Sequence, residues 1–125
     1  MLDTNVAIHL RDRDPEVMRK VVELDDAAII SIVTRVELEG GVHRDPSHAA
    51  IRRASLDAML ESLPTVEFED AAADAYRSIL EATGFARRKV LDRMIAAQAI
   101  VHHVTLVTMN ATDFADIPGL RMVEW

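Results

Sequence analysis

Four acidic side chains are placed where they could act on a substrate together. Asp3 follows two apolar residues at the start of the chain, and Glu37 lies one turn into a predicted helix that follows a strand. Asp92 is in the first turn of a nearly all-apolar helix, and Asp113 follows a later strand. Open α/β sheets bind ligands at the carboxyl ends of their strands. If the sheet is parallel, the four carboxylates can converge there, and such oxygen donors suit Mg²⁺ or Mn²⁺ rather than Zn²⁺.

Each of these acids also has a structural interpretation that the sequence leaves open. Asp3 can cap the helix that follows it, and Thr34-Arg35-Val36-Glu37 matches the pattern of a capping box. Asp92 is either an N-cap or a first-turn acid favoured by the helix dipole. Asp113 can be an ordinary loop residue or the cap of a short turn. Considered singly, none of the four establishes a catalytic site.

Apolar patterning predicts the elements that would position the acids. Strands alternate with helices and no hairpin signal is present, which indicates an α/β domain with a central, mostly parallel twisted sheet and helices on both faces. Predicted strands are a stub at 1–3 and segments 27–31, 65–68, 104–108 and 120–123; predicted helices are 6–10, 14–24, 34–40, 45–63, 70–83 and 90–103.

Composition restricts the class of protein. The 125 residues suit one domain, and the 50% hydrophobic content is enough for a core. Cysteine is absent, which excludes thiolate metal sites and fits a reducing compartment such as the cytoplasm. Asp3 and Arg11 interrupt any N-terminal apolar stretch, so a signal peptide is not expected, and the uncharged stretch 94–112 is too polar for a membrane span.

The net charge of −7 counts against nucleic-acid binding through bulk electrostatics. It does not exclude a nucleic-acid enzyme whose acids are gathered around a cation, because the bound ion reverses the local charge. One basic run, Arg87-Arg88-Lys89, precedes Asp92. Such a run is usually a solvated loop, but next to a metal site it could hold a phosphate backbone.

Five motifs occur in a fixed order along essentially the whole chain. They are Leu2-Asp3-Thr4-Asn5, Thr34-x-x-Glu37-Leu38, Asp92-x-x-Ile95-Ala96-Ala97, Leu106-Val107-Thr108-x-Asn110-x-x-Asp113-Phe114 and Ile117-Pro118-Gly119-Leu120. In series they resemble the PIN-domain ribonucleases, and more narrowly the VapC toxins of toxin–antitoxin pairs. The resemblance implies a PIN-like three-layer fold and a catalytic metal site of Asp3, Glu37, Asp92 and Asp113, with Asn5 and Asn110 as polar neighbours.

The resemblance also implies a function and its partners. It implies an Mg²⁺- or Mn²⁺-dependent endoribonuclease that cuts cellular RNA such as tRNA or rRNA, with Arg87, Arg88 and Lys89 as RNA contacts. A homodimer and a VapB-type antitoxin that blocks the site are implied as well. One rival is a phosphatase with Asp3 as nucleophile, although that chemistry would want a second aspartate where the chain has Asn5. The other is a non-catalytic interaction module, which the loss of an acid would indicate.

Overall fold

The computed structural model describes residues 1–125 and contains six α-helices and four short strands. The α-helices are α1 (Thr4–Arg11), α2 (Pro15–Val22), α3 (Ile32–His43), α4 (Ala49–Ser62), α5 (Asp70–Thr83) and α6 (Val90–Val101). The strands are β1 (Ile30–Ser31), β2 (Thr65–Val66), β3 (Leu106–Thr108) and β4 (Met122–Glu124). Single 3₁₀ turns cover Pro46–His48, Arg87–Lys89 and Ala111–Asp113.

All strand pairs are parallel, as predicted. β1 pairs with β2 and β3 pairs with β4, while Leu2 makes parallel bridges to both Ile30 and Val107. The strand order is therefore β2, β1, the Leu2 stub, β3 and β4. The strands at 27–31 and 65–68 were predicted too long. β1 ends at Ser31 as predicted but begins only at Ile30, because Ile30 and Ser31 are the residues that pair with β2.

Helices cover both faces of the sheet and give two hydrophobic cores. Successive side chains of a strand point to opposite faces, so Val107 joins the core beneath α1–α4 and Leu106 joins the core beneath α5 and α6. α6 is the central helix that the sequence predicted: Ile95, Ala96, Ala97 and Ala99 are fully buried. The three-layer arrangement is thus confirmed.

A buried polar network fixes α6 against the sheet. The Ser31 hydroxyl donates a hydrogen bond to Oε1 of Gln98, and Nε2 of Gln98 donates to the carbonyl oxygens of Val66 and Glu67 at 3.0 and 2.8 Å. Gln98 is fully buried, and leaving a buried amide without partners costs roughly 1–3 kcal/mol. These bonds fix the position of α6. They thereby also fix the position of Asp92, which lies about two turns before Gln98 on the same helix.

The boundaries of α3 differ from the prediction at both ends. The helix was predicted to start at Thr34, but Ser31 is its N-cap and accepts a hydrogen bond from the amide of Val33 at 2.9 Å. It was predicted to stop at Gly40, but it continues through Gly40 and Gly41 to His43. A Cβ on Gly41 would lie 3.3 Å from Nη1 of Arg11, so this glycine serves a close tertiary approach rather than a helix end.

The start of the helix predicted at 45–63 is also shifted. Asp45 was expected to open a long helix, but it caps only the 3₁₀ turn, accepting from the Ser47 amide at 3.1 Å, and α4 begins after His48. α5 spans the predicted range, with Asp70 as its first residue and Glu69 as its N-cap. The predicted start of α2 is confirmed, because Asp14 caps this helix ahead of its first-turn proline, and the helix ends at Val22, two residues before the predicted end.

α6 is followed by a left-handed turn at His103, the residue after its C-cap His102. His103 has φ of 55°, its amide donates to Ile100 at 3.1 Å, and the amide of Val104 donates to Ala99 at 3.1 Å. This pair of bonds is the Schellman motif, whose left-handed position favours glycine. The uncharged stretch 94–112 therefore splits between α6 and β3. None of the helices in the structure combines the length and apolar composition required to cross a bilayer.

His103→Gly is expected to raise the free energy of unfolding by about 0.5–1 kcal/mol. The substitution removes the strain of a left-handed backbone at a residue with an exposed side chain. The larger entropy of glycine in the unfolded chain offsets only part of this gain. Denaturant unfolding measures the change. His102→Gly is the matched control: its φ is −83°, so the substitution should destabilise the protein. Equal effects of the two substitutions on the free energy of unfolding would contradict the left-handed conformation of His103.

Candidate active site

Three of the four predicted acids line one cleft beyond the carboxyl ends of the central strands. The cleft has a volume of about 390 Å³, and Asp3, Glu37 and Asp92 contribute to its wall. They come from separate parts of the chain: Asp3 follows the Leu2 stub, Glu37 lies on α3 and Asp92 lies on α6. As expected, the parallel strands and the helices that follow them bring Asp3, Glu37 and Asp92 together.

Asp3 is both a helix cap and the most buried acid of the site. It is 3% exposed, and its Oδ1 accepts a hydrogen bond from the amide of Thr4 at 2.7 Å. Its Oδ2 accepts from the hydroxyl of Thr108 at 2.8 Å. Burial raises the pKa of Asp3, the bonds from Thr108 and Thr4 oppose that shift, and the charge of Asp113 adds to it. The capping interpretation and the site interpretation are thus properties of one carboxylate.

Glu37 faces α1 instead of its own helix terminus. Its Oε2 accepts from the hydroxyl of Thr4 at 2.5 Å, and Thr4 Oγ1 lies 3.1 Å from Thr34 Oγ1. The capping-box interpretation is wrong, because Ser31 caps α3 and Thr34 lies inside the helix. Glu39 faces away, as a rotation of about 200° requires, and binds Arg53 of α4.

Asp92 shows the electrostatic convergence of all four acids. It lies in the first turn of α6, accepts no hydrogen bond from the protein and is not the N-cap, which is Lys89. Burial, followed by the charges of Asp3, Asp113 and Glu37 in that order, raises the pKa of Asp92 to about 6, and the charge of Lys89 opposes the shift. Like charges close together disfavour ionisation. The carboxylates therefore act on one another across the site.

Asp113 stands beside the cleft on the 3₁₀ turn after β3. Nδ2 of Asn110 donates a hydrogen bond to Oδ2 of Asp113, and the backbone amide of Asn110 donates to Thr108 Oγ1 at 3.0 Å. Thr108 thus connects Asp3 to the Asn110–Asp113 pair. Asn5, the other predicted polar neighbour, is exposed on α1 and lines the cleft.

Two site residues were missed by sequence reasoning. The hydroxyls of Thr4 and Thr108 orient the carboxylates of Glu37 and Asp3, respectively. Both threonines lie within the motifs that carry the acids, directly after Asp3 and at the end of β3. A threonine next to a predicted acid at a strand end is the signal that could have found them.

The donor set fits a hydrated hard cation. All four side chains offer carboxylate oxygens, which suit Mg²⁺ or Mn²⁺. No three Asp, Glu or His side chains converge closely enough to hold one ion together. Mg²⁺ is usually bound by one or two carboxylates and keeps several waters, so a close cluster of three is not required.

Basic residues occur in the cleft, but they are not the predicted ones. Arg87 and Arg88 are exposed on a 3₁₀ turn, and Lys89 lies 3.6 Å from Asp116. None of these three lines the cleft, which instead contains three arginines distant in sequence: Arg11, Arg44 and Arg52. No run or motif connects these arginines, so sequence reasoning did not find them.

Crowding of the acids predicts that Asp92→Asn stabilises the metal-free protein at neutral pH. The folded pKa of Asp92 is about 6, above the ordinary 3.8, so the folded state holds its proton more tightly than the unfolded chain. Stability from this group is complete below pH 3.8 and is lost as pH rises through about 6. After discounting for solvent screening at this half-buried site, the gain is about 1 kcal/mol, or about 3–6 °C in Tm.

Thermal melts of wild type and Asp92→Asn in EDTA at pH 4 and pH 7.5 test this. The two melting temperatures should differ at pH 7.5 and approach each other at pH 4. Added Mn²⁺ should raise the Tm of the wild type more than that of the variant, because an ion that binds only the folded state stabilises it. A variant that melts lower than wild type at pH 7.5 and responds normally to Mn²⁺ would identify Asp92 as a structural residue.

Comparison with known proteins agrees with this geometry. Residues 1–120 match the PIN domain. The chain is 30% identical to "Ribonuclease VapC2" of Rickettsia felis, with 100% of this chain and 96% of that protein aligned. It is also 30% identical to "tRNA(fMet)-specific endonuclease VapC" of Salmonella typhimurium, again with 100% of this chain and 96% of that protein aligned.

Solved structures give the same result. The crystal structure of VapBC2 from Rickettsia felis bound to a DNA fragment from its promoter superposes with a TM-score of 0.85 at 28% identity. The alignment covers 100% of this chain and 97% of that one. Fold, motif order and sequence similarity therefore agree with the resemblance inferred from the motifs, and the chain belongs to the PIN-domain family.

Proposed function

We propose that the chain is an endoribonuclease that hydrolyses phosphodiester bonds of cellular RNA and acts as the toxin of a VapBC-type toxin–antitoxin pair. The observation that carries this proposal is the convergence of Asp3, Glu37 and Asp92 in one cleft, with the charge of Asp113 acting on two of them. The relatives named a ribonuclease and a tRNA(fMet)-specific endonuclease support RNA hydrolysis. The VapBC2 complex supports a VapB-type antitoxin as the partner.

The finer parts of the proposal concern the cofactor and the setting. We infer that Asp3, Glu37, Asp92 and Asp113 provide the carboxylates of a site for hydrated Mg²⁺ or Mn²⁺, with one or two of them bound directly to an ion. We also infer that the substrate is tRNA or rRNA and that the toxin is a homodimer in the cytoplasm. A divalent ion at such a site supplies Lewis acidity, which activates water and offsets the charge that builds on the phosphate. Arg87, Arg88 and Lys89 remain proposed contacts of the RNA backbone.

The protein's own groups prepare this chemistry by fixing the carboxylates before the substrate binds. Thr108 and the amide of Thr4 engage one oxygen each of Asp3, so its carboxylate cannot rotate freely. The Thr4 hydroxyl holds Glu37 in the same way. Groups positioned before reaction need no reorganisation during it, which favours the transition state. We therefore assign Thr4 and Thr108 as positioning residues.

The rivals are less compatible with this geometry. A phosphatase with Asp3 as nucleophile would want a second aspartate two residues on, and the chain has Asn5 at that position. A non-catalytic module would gain nothing from carboxylates gathered in one cleft, because burial and mutual repulsion raise the pKa of Asp92 and cost stability. Strongly perturbed acids in a cleft are typical of functional sites.

A cleavage assay tests the proposal. Labelled tRNA and rRNA are incubated with the protein in Mg²⁺, in Mn²⁺ or in EDTA. Cleavage is expected with either metal, should stop in EDTA and should return when metal is added in excess. Equal cleavage in EDTA would contradict the metal dependence. No cleavage under any condition would contradict ribonuclease activity, and phosphate trapped on Asp3 would then favour the phosphatase.

A further inference from the structure

We propose that Arg11, Arg44 and Arg52 form a phosphate-binding subsite that holds the RNA backbone next to the acidic site. They line the same cleft as Asp3, Glu37 and Asp92. The inference rests on the proposed function, because it takes RNA as the ligand. It concerns residues on α1, at the end of α3 and on α4, which are separate from the 87–89 run.

Arg11 is held in one orientation by the protein. Its side chain is 4% exposed, and Nε and Nη2 donate to the two oxygens of Asp12 at 2.8 and 3.1 Å. Nη1 donates to no protein acceptor and is not sealed from solvent. The backbone of Gly41 lies so close that a Cβ there would be 3.3 Å from this nitrogen. A guanidinium fixed in this way loses little entropy when its remaining donor binds a phosphate oxygen.

Arg44 and Arg52 supply two further charges beside Arg11. Arg44 is the exposed C-cap of α3, and its side chain makes no hydrogen bond or ion pair within the protein. Arg52 is half-buried on α4 and donates from Nη1 to the carbonyl oxygen of Gly41 at 3.2 Å. Since Arg44 and Arg52 form no ion pair with an acidic side chain, their charges remain available to a ligand.

The basic surface continues away from the acids. A second cleft of about 610 Å³ shares Arg11, Asp12 and Arg52 with the first and adds Arg13 and His48. A protein of net charge −7 thus concentrates basic side chains along one path that begins at the acidic site. Phosphate contacts by arginine fix the register of a nucleic acid without reading its sequence, and a path of this kind fits the backbone of an RNA strand.

Fluorescence anisotropy with a labelled single-stranded oligoribonucleotide of mixed sequence tests the subsite. The Asp3→Asn chain in Mg²⁺ is the background, and a gel checks that the probe stays intact. Adding Arg44→Gln and Arg52→Gln should weaken binding roughly 10-fold near 0.1 M salt. The slope of log affinity against log salt should fall by about 1.4, because each phosphate contact on a single strand contributes about 0.7.

Two matched controls separate the subsite from general charge effects and from folding. Arg19→Gln with Arg77→Gln removes two exposed arginines elsewhere and should leave the slope almost unchanged. Gly41→Ala should weaken binding because its methyl would lie 3.3 Å from Nη1 of Arg11 and shift this nitrogen by a few tenths of an ångström, without changing any charge. Gly40→Ala, with open space at its Cβ, should bind as its parent does. Both alanines favour the helix, so reduced folding would not explain a difference.

The outcomes distinguish this inference from the proposed function. If wild-type protein cleaves RNA but the Arg44→Gln and Arg52→Gln pair keeps the parental salt slope, the subsite is wrong and the proposed nuclease activity stands. The same result is expected if these arginines bind an acidic protein segment instead of RNA. If the pair lowers the slope but wild type cleaves no RNA in any metal, the subsite stands and the nuclease is wrong. Equal effects of the Arg19→Gln and Arg77→Gln pair would also overturn the subsite.

Discussion

Asp3→Asn is expected to lower the rate of RNA cleavage at least 100-fold while the protein stays folded. Loss of a group that merely supports a metal ligand costs about 10–100-fold, and loss of a proposed ligand should cost no less. The substitution hardly changes volume, and the remaining oxygen can still accept from Thr4. Burial raises the pKa of Asp3, so a neutral side chain is tolerated at this position.

Single-turnover cleavage of labelled tRNA in Mn²⁺ measures the loss, and a thermal melt confirms folding. Asp74→Asn is the matched control, because it removes one exposed carboxylate on α5, far along the chain from the site. This control should cleave at the wild-type rate. Full activity of Asp3→Asn would show that cleavage does not require the carboxylate of Asp3 and would contradict the proposed four-acid site.

Glu37→Gln is expected to lose activity to a similar extent, at least about 100-fold by the same reasoning about proposed ligands. Glutamine keeps the size of the side chain and can still accept the hydrogen bond from Thr4, so only the negative charge is removed. Single-turnover cleavage again gives the rate. Retained activity would show that Glu37 serves only to hold α1 against α3.

Glu39→Gln provides the control on the same helix. Glu39 faces α4 and binds Arg53, so its charge does not reach the cleft. We expect nearly normal cleavage, together with a small loss of stability of about 0–1 kcal/mol from the surface ion pair. A comparable loss of cleavage in both variants would mean that net charge on α3, rather than the position of Glu37, governs activity.

Much of the architecture was predictable because its signals are local. The alternation of apolar runs with helical patterns indicated a parallel sheet covered on both faces, and the Asp14-Pro15 start of α2 followed from capping and proline geometry. The boundaries of α3 were not predictable in this way. Gly40-Gly41 is typical of a helix end, yet the helix continues to His43, and Gly41 lies close to Arg11 of another helix instead.

For the site, the sequence by itself determined which acids are present and that parallel strands would carry them toward one edge. It left each acid with a capping alternative, since a cap and a ligand look alike when only neighbouring residues are known. Only contacts distant in sequence showed that Glu37 binds Thr4 instead of forming a capping box, and that Asp3, which does cap α1, also binds Thr108. The grouping of Arg11, Arg44 and Arg52 was likewise decided only by tertiary packing, because no local spacing encodes which helices share a cleft.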